Sequence, residues 1–255
     1  MTATDLSWLV ARPIAHRGLH DAARGIVENS RAAARAACDR GYAIECDVQL
    51  SADGEAFVFH DDTLERLTAT VGDFGAASAR ELKETALRGS SETIPTLAEF
   101  LQVVAARTPL VIELKSRFDG DVRVARRAAE ILANYRGKFV VECFDPDPIA
   151  FLRAEGRGLG MADAPLGMVA QAAYDAEEWP AVSAERRGEL ASWTHFSRTR
   201  PQFVSFEIDD LPHPAASILR AGLGAPVTAW TVRSPADAKA AAPWIDQIVF
   251  EGFAA

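Results

Sequence analysis

Two carboxylates stand two residues apart in an apolar stretch: Glu45 and Asp47 lie between Ile44 and Val48. In an extended strand, residues i and i+2 share a face, so both side chains project to the same side of a segment apolar enough to be buried. A buried pair of like charges needs a cation, and a hard divalent metal takes oxygen ligands. The spacing therefore predicts a divalent-metal site on this strand.

Other polar side chains follow other predicted strands. Glu113 and Lys115 form a second pair on one face, His16 and Arg17 end an earlier strand, and His60 ends a third. In a parallel β/α barrel the carboxyl ends of the strands meet at one end, so these residues are expected to converge although they are far apart in sequence. Glu113 would then add a third carboxylate to the metal site.

The charges of this set suit a metal and a phosphodiester bound together. Three carboxylates with a divalent metal keep one negative charge, an anionic phosphodiester makes two, and Arg17 and Lys115 restore neutrality. His16 and His60 supply the base and the acid that phosphodiester cleavage needs. The pattern leaves open which histidine has which role, and whether water or a hydroxyl of the substrate attacks first.

Composition limits the class of protein. A chain of 255 residues, 49% of them hydrophobic, is expected to form one domain over residues 1–255, the usual size of a single (β/α)8 barrel. The net charge of -9 argues against nucleic-acid binding and against attraction to anionic membranes. With no predicted signal peptide, membrane span or cysteine pairing, we expect a cytoplasmic protein without stable membrane anchoring that acts on small molecules. The oligomeric state stays open.

Strand and helix patterns alternate along the chain, which favours parallel β/α architecture. Strand patterns occur at 12–16, 42–48, 56–60, 110–114, 139–144, 166–169, 203–208, 227–232 and 247–250, one more than a TIM-type (β/α)8 barrel needs. The link from the second to the third is too short for a crossover helix, so the barrel is irregular there or this pair is a hairpin. Asn29 or Ser30 is expected to cap the first helix, and capping boxes are expected at 78–81 and 96–99.

The chain resembles the glycerophosphodiester phosphodiesterase family through a series of short motifs in the family's order. These are His-Arg-Gly at 16–18, Glu-Asn-Ser at 28–30, Glu-x-Asp at 45–47, His-Asp at 60–61 with Leu-Glu-Arg-Leu-Thr at 64–68, Ile-Pro-Thr-Leu at 94–97, Glu-Leu-Lys at 113–115 and Ala-Trp-Thr-Val at 229–232. The resemblance implies a TIM-type barrel that hydrolyses glycerophosphodiesters to glycerol 3-phosphate and an alcohol with Mg or Ca. By matching position it implies His16 and His60 as acid and base, Glu45, Asp47 and Glu113 as metal ligands, Arg17 and Lys115 as phosphate contacts, and Glu28 and Asn29 near the metal.

Some positions depart from the family's pattern. Cys143 replaces a serine, and Glu142 beside it adds a carboxylate that could face the site. Glu251 stands in a Phe-Glu-Gly sequence where the family has Thr-Asp-Pro, so the last strand is expected to keep an acid, with a longer reach, close to the metal site. Trp230 either forms an apolar wall against the glycerol carbons or belongs to the core. These changes leave the identity of the leaving alcohol open.

Two alternative functions remain. A phospholipase D-like hydrolase of lysophospholipids would need an apolar rim, for which Trp179, Trp193 and Phe196 are candidates. A non-catalytic module that binds a phosphorylated ligand would be expected to have lost a histidine or a metal carboxylate, and none is lost. His20, His195 and His213 have no charged neighbour of this kind, and we assign them to loops or the surface.

Overall fold

Nine β-strands run through the part of the chain that the computed structural model describes, residues 5–255. They are β1 (Ile14–Ala15), β2 (Ala43–Leu50), β3 (Ala56–Val58), β4 (Leu110–Leu114), β5 (Phe139–Cys143), β6 (Leu166–Ala170), β7 (Phe203–Glu207), β8 (Val227–Val232) and β9 (Gln247–Phe250). All except β3 are parallel to their neighbours, and β1 pairs with both β2 and β9, which closes the ring. The predicted TIM-type barrel is confirmed.

The link between β2 and β3 is the irregular place that the sequence indicated. β3 runs antiparallel to β2, with Val48 opposite Val58 and Leu50 opposite Ala56, so the pair is a hairpin and β3 is the surplus strand outside the barrel. Residues 59–96, here called the excursion, then leave the barrel. They pack in a separate apolar cluster with Val27 and Phe57, whose excursion members are Phe59, Leu64, Phe74, Leu82, Leu87 and Ile94.

Helices connect the strands: α1 (Arg31–Arg40), α2 (Ala79–Glu84), α3 (Leu97–Val104), α4 (Arg123–Leu132), α5 (Pro146–Glu155), α6 (Ala184–Ser192), α7 (Phe196–Thr199), α8 (Pro214–Ser217) and α9 (Pro235–Ala241). Both predicted capping boxes are present, at the starts of α2 and α3. Ser30, and not Asn29, caps α1 by accepting a hydrogen bond from the backbone N of Ala33. Between residues 5 and 255, no helix has the length and apolar character needed to cross a membrane.

Alternation along the strands decides which side chains enter the barrel. Ala43 on β2 belongs to an apolar layer inside the barrel, so Glu45 and Asp47, two and four residues further along, point inward as well. Leu6 and Leu9, from the segment before β1, join this layer together with Ile14, Val111, Val140, Phe203 and Val249. The amino-terminal half of the interior is therefore apolar, and the carboxyl-terminal half is left to polar side chains.

Candidate active site

The three predicted metal ligands come together at the carboxyl-terminal end of the barrel. Asp47 on β2 stands opposite Glu113 on β4, and one carboxylate oxygen from each of Glu45, Asp47 and Glu113 lies within 4.8 Å of the other two. Glu45 and Asp47 are buried, and the Glu113 side chain is 12% exposed. Oε1 of Glu45 is buried without a hydrogen-bond partner in the described part of the chain. Three convergent carboxylates, one with an unused oxygen, fit a divalent cation.

Two basic side chains contact this cluster. Lys115 Nζ lies 2.9 Å from Asp47 Oδ1 and 2.7 Å from Glu113 Oε1, and Arg17 Nε lies 3.5 Å from Asp47 Oδ2. Burial raises the pKa of Glu45 well above its ordinary value, and the charges of Asp47 and Glu113 raise it further. Burial also opposes ionisation of Asp47, but Lys115, His60 and Arg17 outweigh it and lower the pKa of Asp47. Asp47 is therefore firmly ionised, and Glu45 holds a proton more readily than Asp47 does.

Asn29 and Arg17 donate hydrogen bonds to the carboxylate cluster, and both have an unusual backbone conformation. Asn29 Nδ2 donates to Asp47 Oδ2 at 2.7 Å, and the backbone N of Arg17 donates to Glu45 Oε2 at 2.9 Å. Arg17 and Asn29 have φ of 54° and 57°, in the left-handed region that asparagine tolerates better than most residues. This conformation turns Asn29 toward the carboxylates and explains why Ser30 is left to cap α1.

His16 is held by a carboxylate from the opposite end of the sequence. Its Nδ1 lies 2.6 Å from Glu251 Oε2, and its Nε2 lies 4.0 Å from Glu45 Oε2. Glu251 Oε1 accepts from Arg233 Nε at 2.9 Å, and His20 Nε2 lies 3.8 Å from Glu251 Oε2. Burial lowers the pKa of His16, although the hydrogen bond that His16 donates to Glu251 opposes this effect. The hydrogen bond from His16, together with the neighbouring His20 imidazole, lowers the pKa of Glu251, so that carboxylate is ionised.

His60 is linked to Arg17 through a chain of ion pairs. His60 Nδ1 lies 2.8 Å from Asp61 Oδ1, and Arg66 contacts both Asp61 Oδ2 at 2.6 Å and Glu28 Oε2 at 2.7 Å. Glu28 Oε1 in turn lies 2.7 Å from Arg17 Nη1. Glu28 thus binds two arginines, and Arg66 is a site residue to which the sequence reasoning gave no role. The signal was present, because Arg66 lies in the motif at 64–68.

Part of the site lines a small cavity of about 180 Å³, here called the inner cavity. Glu142 lines it, is buried, and has an Oε2 atom without a hydrogen-bond partner in the described residues. Burial raises the pKa of Glu142 well above its ordinary value, and the charge of Glu113 adds to this effect. The full lining is His16, Arg17, Glu45, His60, Glu113, Lys115, Glu142, Phe144, Val169, Ser205, Trp230, Thr231, Arg233 and Val249.

A second cavity of about 510 Å³, here called the outer cavity, adjoins the first. Residues that line both are His60, Glu113, Lys115, Phe144 and Trp230. Trp230 donates from Nε1 to the backbone O of Ser205 at 3.0 Å, so its ring is oriented by a hydrogen bond while it lines both cavities. The remaining lining of the outer cavity is Asp61, Asp62, Leu114, Ser116, Phe118, Cys143, Asp145, Gln171, Glu178 and Trp179.

The model of the glycerophosphoryl diester phosphodiesterase family matches residues 16–250 of the chain. The chain belongs to this family. The resemblance that the motifs indicated is therefore confirmed. The match covers β2 to β9 and leaves out only β1, Ile14–Ala15, among the strands.

Members and structures similar to this chain are known from several organisms. A glycerophosphodiester phosphodiesterase of Caldanaerobacter subterraneus is 38% identical over 111 residues, which are 40% of this chain and only 44% of that protein. An Oleispira antarctica phosphodiesterase, solved in complex with the product sn-glycerol-3-phosphate, has a TM-score of 0.76 at 23% identity over 95% of this chain and 94% of its own. A Thermotoga maritima glycerophosphodiester phosphodiesterase has a TM-score of 0.67 at 24% identity over 93% and 92%. At such identities the two structures establish a common fold.

For this member of the glycerophosphoryl diester phosphodiesterase family, three expectations about side chains need correction. His20 lies in a loop as expected, but it has a charged neighbour after all, because its Nε2 lies 3.8 Å from Glu251 Oε2 beside His16. His195 is not at the surface: it is 3% exposed, and its Nδ1 lies 3.1 Å from Thr199 Oγ1. The proposed aromatic rim is divided, since Trp179 lines the outer cavity whereas Trp193 and Phe196 line a separate groove.

Proposed function

We propose that this chain hydrolyses glycerophosphodiesters to glycerol 3-phosphate and an alcohol. The observation that carries the proposal is that two histidines and two basic side chains line one cavity together with Glu45 and Glu113, whose carboxylates converge with that of Asp47, in a chain that belongs to this family. The activity named for the Caldanaerobacter relative and the product bound in the Oleispira structure support the same reaction. The proposal includes a cytoplasmic location, which is supported by the three free cysteines.

Glu45, Asp47 and Glu113 would hold a divalent metal, Mg or Ca. The unused oxygen of Glu45 and the all-oxygen ligand set support a hard cation. Such an ion, when bound, polarises a phosphoryl oxygen and offsets charge that develops on it. Arg17 and Lys115, which line the inner cavity, are proposed to bind the phosphate, and Asn29 holds Asp47 in position.

The two histidines are proposed to divide the proton transfers between them. Because ionised Glu251 accepts a hydrogen bond from Nδ1 of His16, the neutral imidazole has its free electron pair on Nε2. His16 lines only the inner cavity, which suits it to remove a proton from the nucleophile there. His60 lines both cavities, so a leaving oxygen at their boundary lies beside His60, which would protonate it. The nucleophile is water or the glycerol 2-hydroxyl, and phosphorus NMR for a transient cyclic phosphate distinguishes the two.

The test is release of glycerol 3-phosphate from glycerophosphocholine by the purified chain, assayed with Mg²⁺ and with Ca²⁺. EDTA is expected to abolish turnover, and His16→Ala or His60→Ala should each lower kcat by a factor of roughly a hundred or more. His213→Ala is the matched control, since His213 lines neither cavity. Turnover that survives both chelation and the loss of both histidines would overturn the proposal.

The same assay with lysophosphatidylcholine tests the phospholipase D-like alternative. The large apolar side chains most exposed among residues 5–255 are Val71, Ile218, Leu223 and Trp244, and none of them lines the inner or the outer cavity. An apolar rim for a lipid tail is therefore not supported around this site. The alternative of a non-catalytic binding module is disfavoured because both histidines and all three carboxylates are present.

A further inference from the structure

Aromatic rings form much of the wall of the outer cavity. Phe118, Trp179, Phe144 and Trp230 stand in a row, with neighbouring ring centroids 5.8, 5.2 and 5.4 Å apart. The first and last pairs meet nearly at right angles, at 86° and 84°. All four side chains are partly exposed, so their rings offer faces and edges to the cavity from several directions.

The segment that carries Trp179 is held in place by its own packing. Trp179 and Phe144 belong to an apolar cluster with Tyr174, Val182 and Leu190, in which the Tyr174 and Trp179 rings lie 5.2 Å apart. The backbone N of Trp179 donates to the backbone O of Asp175 at 3.0 Å. The aromatic wall is therefore a formed surface, with the rings positioned before any ligand enters.

The charges around this wall are predominantly negative. Five carboxylates line the outer cavity, namely Asp61, Asp62, Glu113, Asp145 and Glu178, against one ammonium, Lys115, and one imidazole, His60. Lys115 is already paired with Glu113, and Arg66 is paired with Asp61. Among residues 5–255, no salt bridge joins a basic side chain to Asp62 or Glu178; Glu178 Oε2 accepts a hydrogen bond from Gln171 Nε2 at 3.3 Å, and the charge of Asp62 contributes to the raised pKa of Arg117. Two carboxylates at this cavity are therefore left without a salt-bridge partner.

The two cavities suit the two parts of a phosphodiester substrate, the glycerol phosphate and the leaving alcohol. The inner cavity is small and is lined by groups proposed to bind the phosphate and the metal, whereas the outer cavity is nearly three times larger and begins at His60, the proposed acid. A leaving group that receives its proton from His60 must extend into the outer cavity. This step rests on the proposed function.

We propose that the outer cavity binds the leaving alcohol and selects alcohols that carry an alkylammonium group, with choline as the best fit. A quaternary ammonium is attracted to the faces of aromatic rings and loses little hydration when it enters an apolar cavity. The unpaired carboxylates of Asp62 and Glu178 favour positive charge at the same place and disfavour anionic alcohols. Trp179 and Phe144 are the specificity-determining residues, because their rings stand at the centre of the row.

The test uses two substrates that differ in a single atom. Glycerophosphocholine is compared with glycerophospho-3,3-dimethylbutanol, in which carbon replaces the ammonium nitrogen, using the full chain with Mg²⁺. The expected preference for the charged substrate in kcat/KM is about threefold to thirtyfold, the range of a desolvated cation–aromatic contact. Trp179→Leu should reduce this ratio to less than about twofold, and Trp179→Phe should keep most of it. Trp244→Leu, at an exposed tryptophan outside both cavities, should leave the ratio unchanged.

Binding separates this inference from the proposed function. In the His16→Ala variant, calorimetric titration should give tighter binding of glycerophosphocholine than of its neutral analogue by a similar factor, and Trp179→Leu in that background should remove the difference. Equal kcat/KM for the two substrates in the wild type would overturn the inference while leaving hydrolysis established. If neither substrate is hydrolysed, the proposed function fails, and equal or undetectable binding of the two ligands then overturns the inference as well.

Discussion

Replacing Glu251 by glutamine tests how His16 is prepared for proton transfer. The Glu251 carboxylate lies 2.6 Å from Nδ1 of His16, and the two side chains are 22% and 13% exposed. A charge-assisted hydrogen bond in such a partly buried place is worth about 1.5 to 3 kcal/mol. If that energy supports the imidazolium formed in the transition state, Glu251→Gln should lower kcat/KM by about tenfold to 150-fold. An amide that turns its NH₂ group toward Nδ1 would stabilise the wrong tautomer and add to the loss.

The pH dependence of kcat/KM shows in which direction Glu251 shifts the pKa of His16. The Glu251 carboxylate raises the pKa of His16 against the lowering by burial. Removing the negative charge should therefore move the acid limb of the kcat/KM profile to lower pH, by about one to two units for the same 1.5 to 3 kcal/mol. Glu251→Asp retains the charge but is one methylene shorter, so it should lose activity with a smaller shift of the limb. Arg233→Met removes an ion pair whose arginine is 65% exposed, together with one cationic side chain of the inner-cavity lining. Because Glu251 keeps its charge and an exposed ion pair is worth at most about 1 kcal/mol, the acid limb is expected to shift by less than in Glu251→Gln.

The assay is the initial rate of glycerol 3-phosphate release between pH 5 and 9, with metal saturating. Far-ultraviolet circular dichroism verifies that each variant is folded. A Glu251→Gln variant with wild-type kcat/KM and an unmoved acid limb would refute the reasoning, because His16 would then be oriented without Glu251.

Two further predictions concern buried ionisable groups. The pKa of Glu45 is raised by burial and by Asp47, so the folded state binds more protons than the unfolded state above pH 4.5 and stability falls as pH rises. Without metal, Glu45→Gln should therefore have a higher Tm than the wild type at pH 7, by roughly 2 to 4 °C for each kcal/mol of charge repulsion and desolvation that is removed. The variant should also lose the increase in Tm that Mg²⁺ or Ca²⁺ gives the wild type. If the increase is retained, Glu45 is not a metal ligand. Burial lowers the pKa of His195 from 6.5 to about 4, so the unfolded state binds more protons between these values and the free energy of unfolding falls by up to about 3 kcal/mol as pH drops through them. Urea unfolding of His195→Gln at pH 7, 5.5 and 4.5 should show a flatter dependence than the wild type, and an equal slope would contradict this account.

Local patterns in the sequence predicted much of the fold. Strand alternation placed Glu45 and Asp47 on one face, and both capping boxes begin helices as expected. The short link after β2 indicated an irregular barrel or a hairpin, because no crossover helix fits between such close strands, and the structure has the hairpin. Each of these features depends on neighbours within a few residues, which is why a single sequence contains the information.

Contacts between distant residues were not predicted in the same way. His16 and Glu251 are 235 positions apart, and only the closure of β9 against β1 brings them together. The role of Arg66 depends on the path of the excursion, which no periodicity in the sequence describes. The choice of Ser30 over Asn29 as the cap of α1 was equally hidden, because the competing partner of Asn29 is Asp47 in another element. The prediction failed where a side chain had two possible partners, one near in sequence and one remote.

The excursion makes the two halves of the proposed acid–base pair unequal in their attachment to the protein. His16 follows a strand of the closed barrel, whereas His60 belongs to a segment with a separate apolar cluster and is tied back across the site through Asp61, Arg66 and Glu28. Local opening of that segment would withdraw one histidine while the barrel, the carboxylates and His16 stayed in place. Amide hydrogen exchange in residues 59–96 therefore measures a quantity that bears on catalysis. The free energy of opening of this segment sets the fraction of molecules in which both proton-transfer groups are assembled.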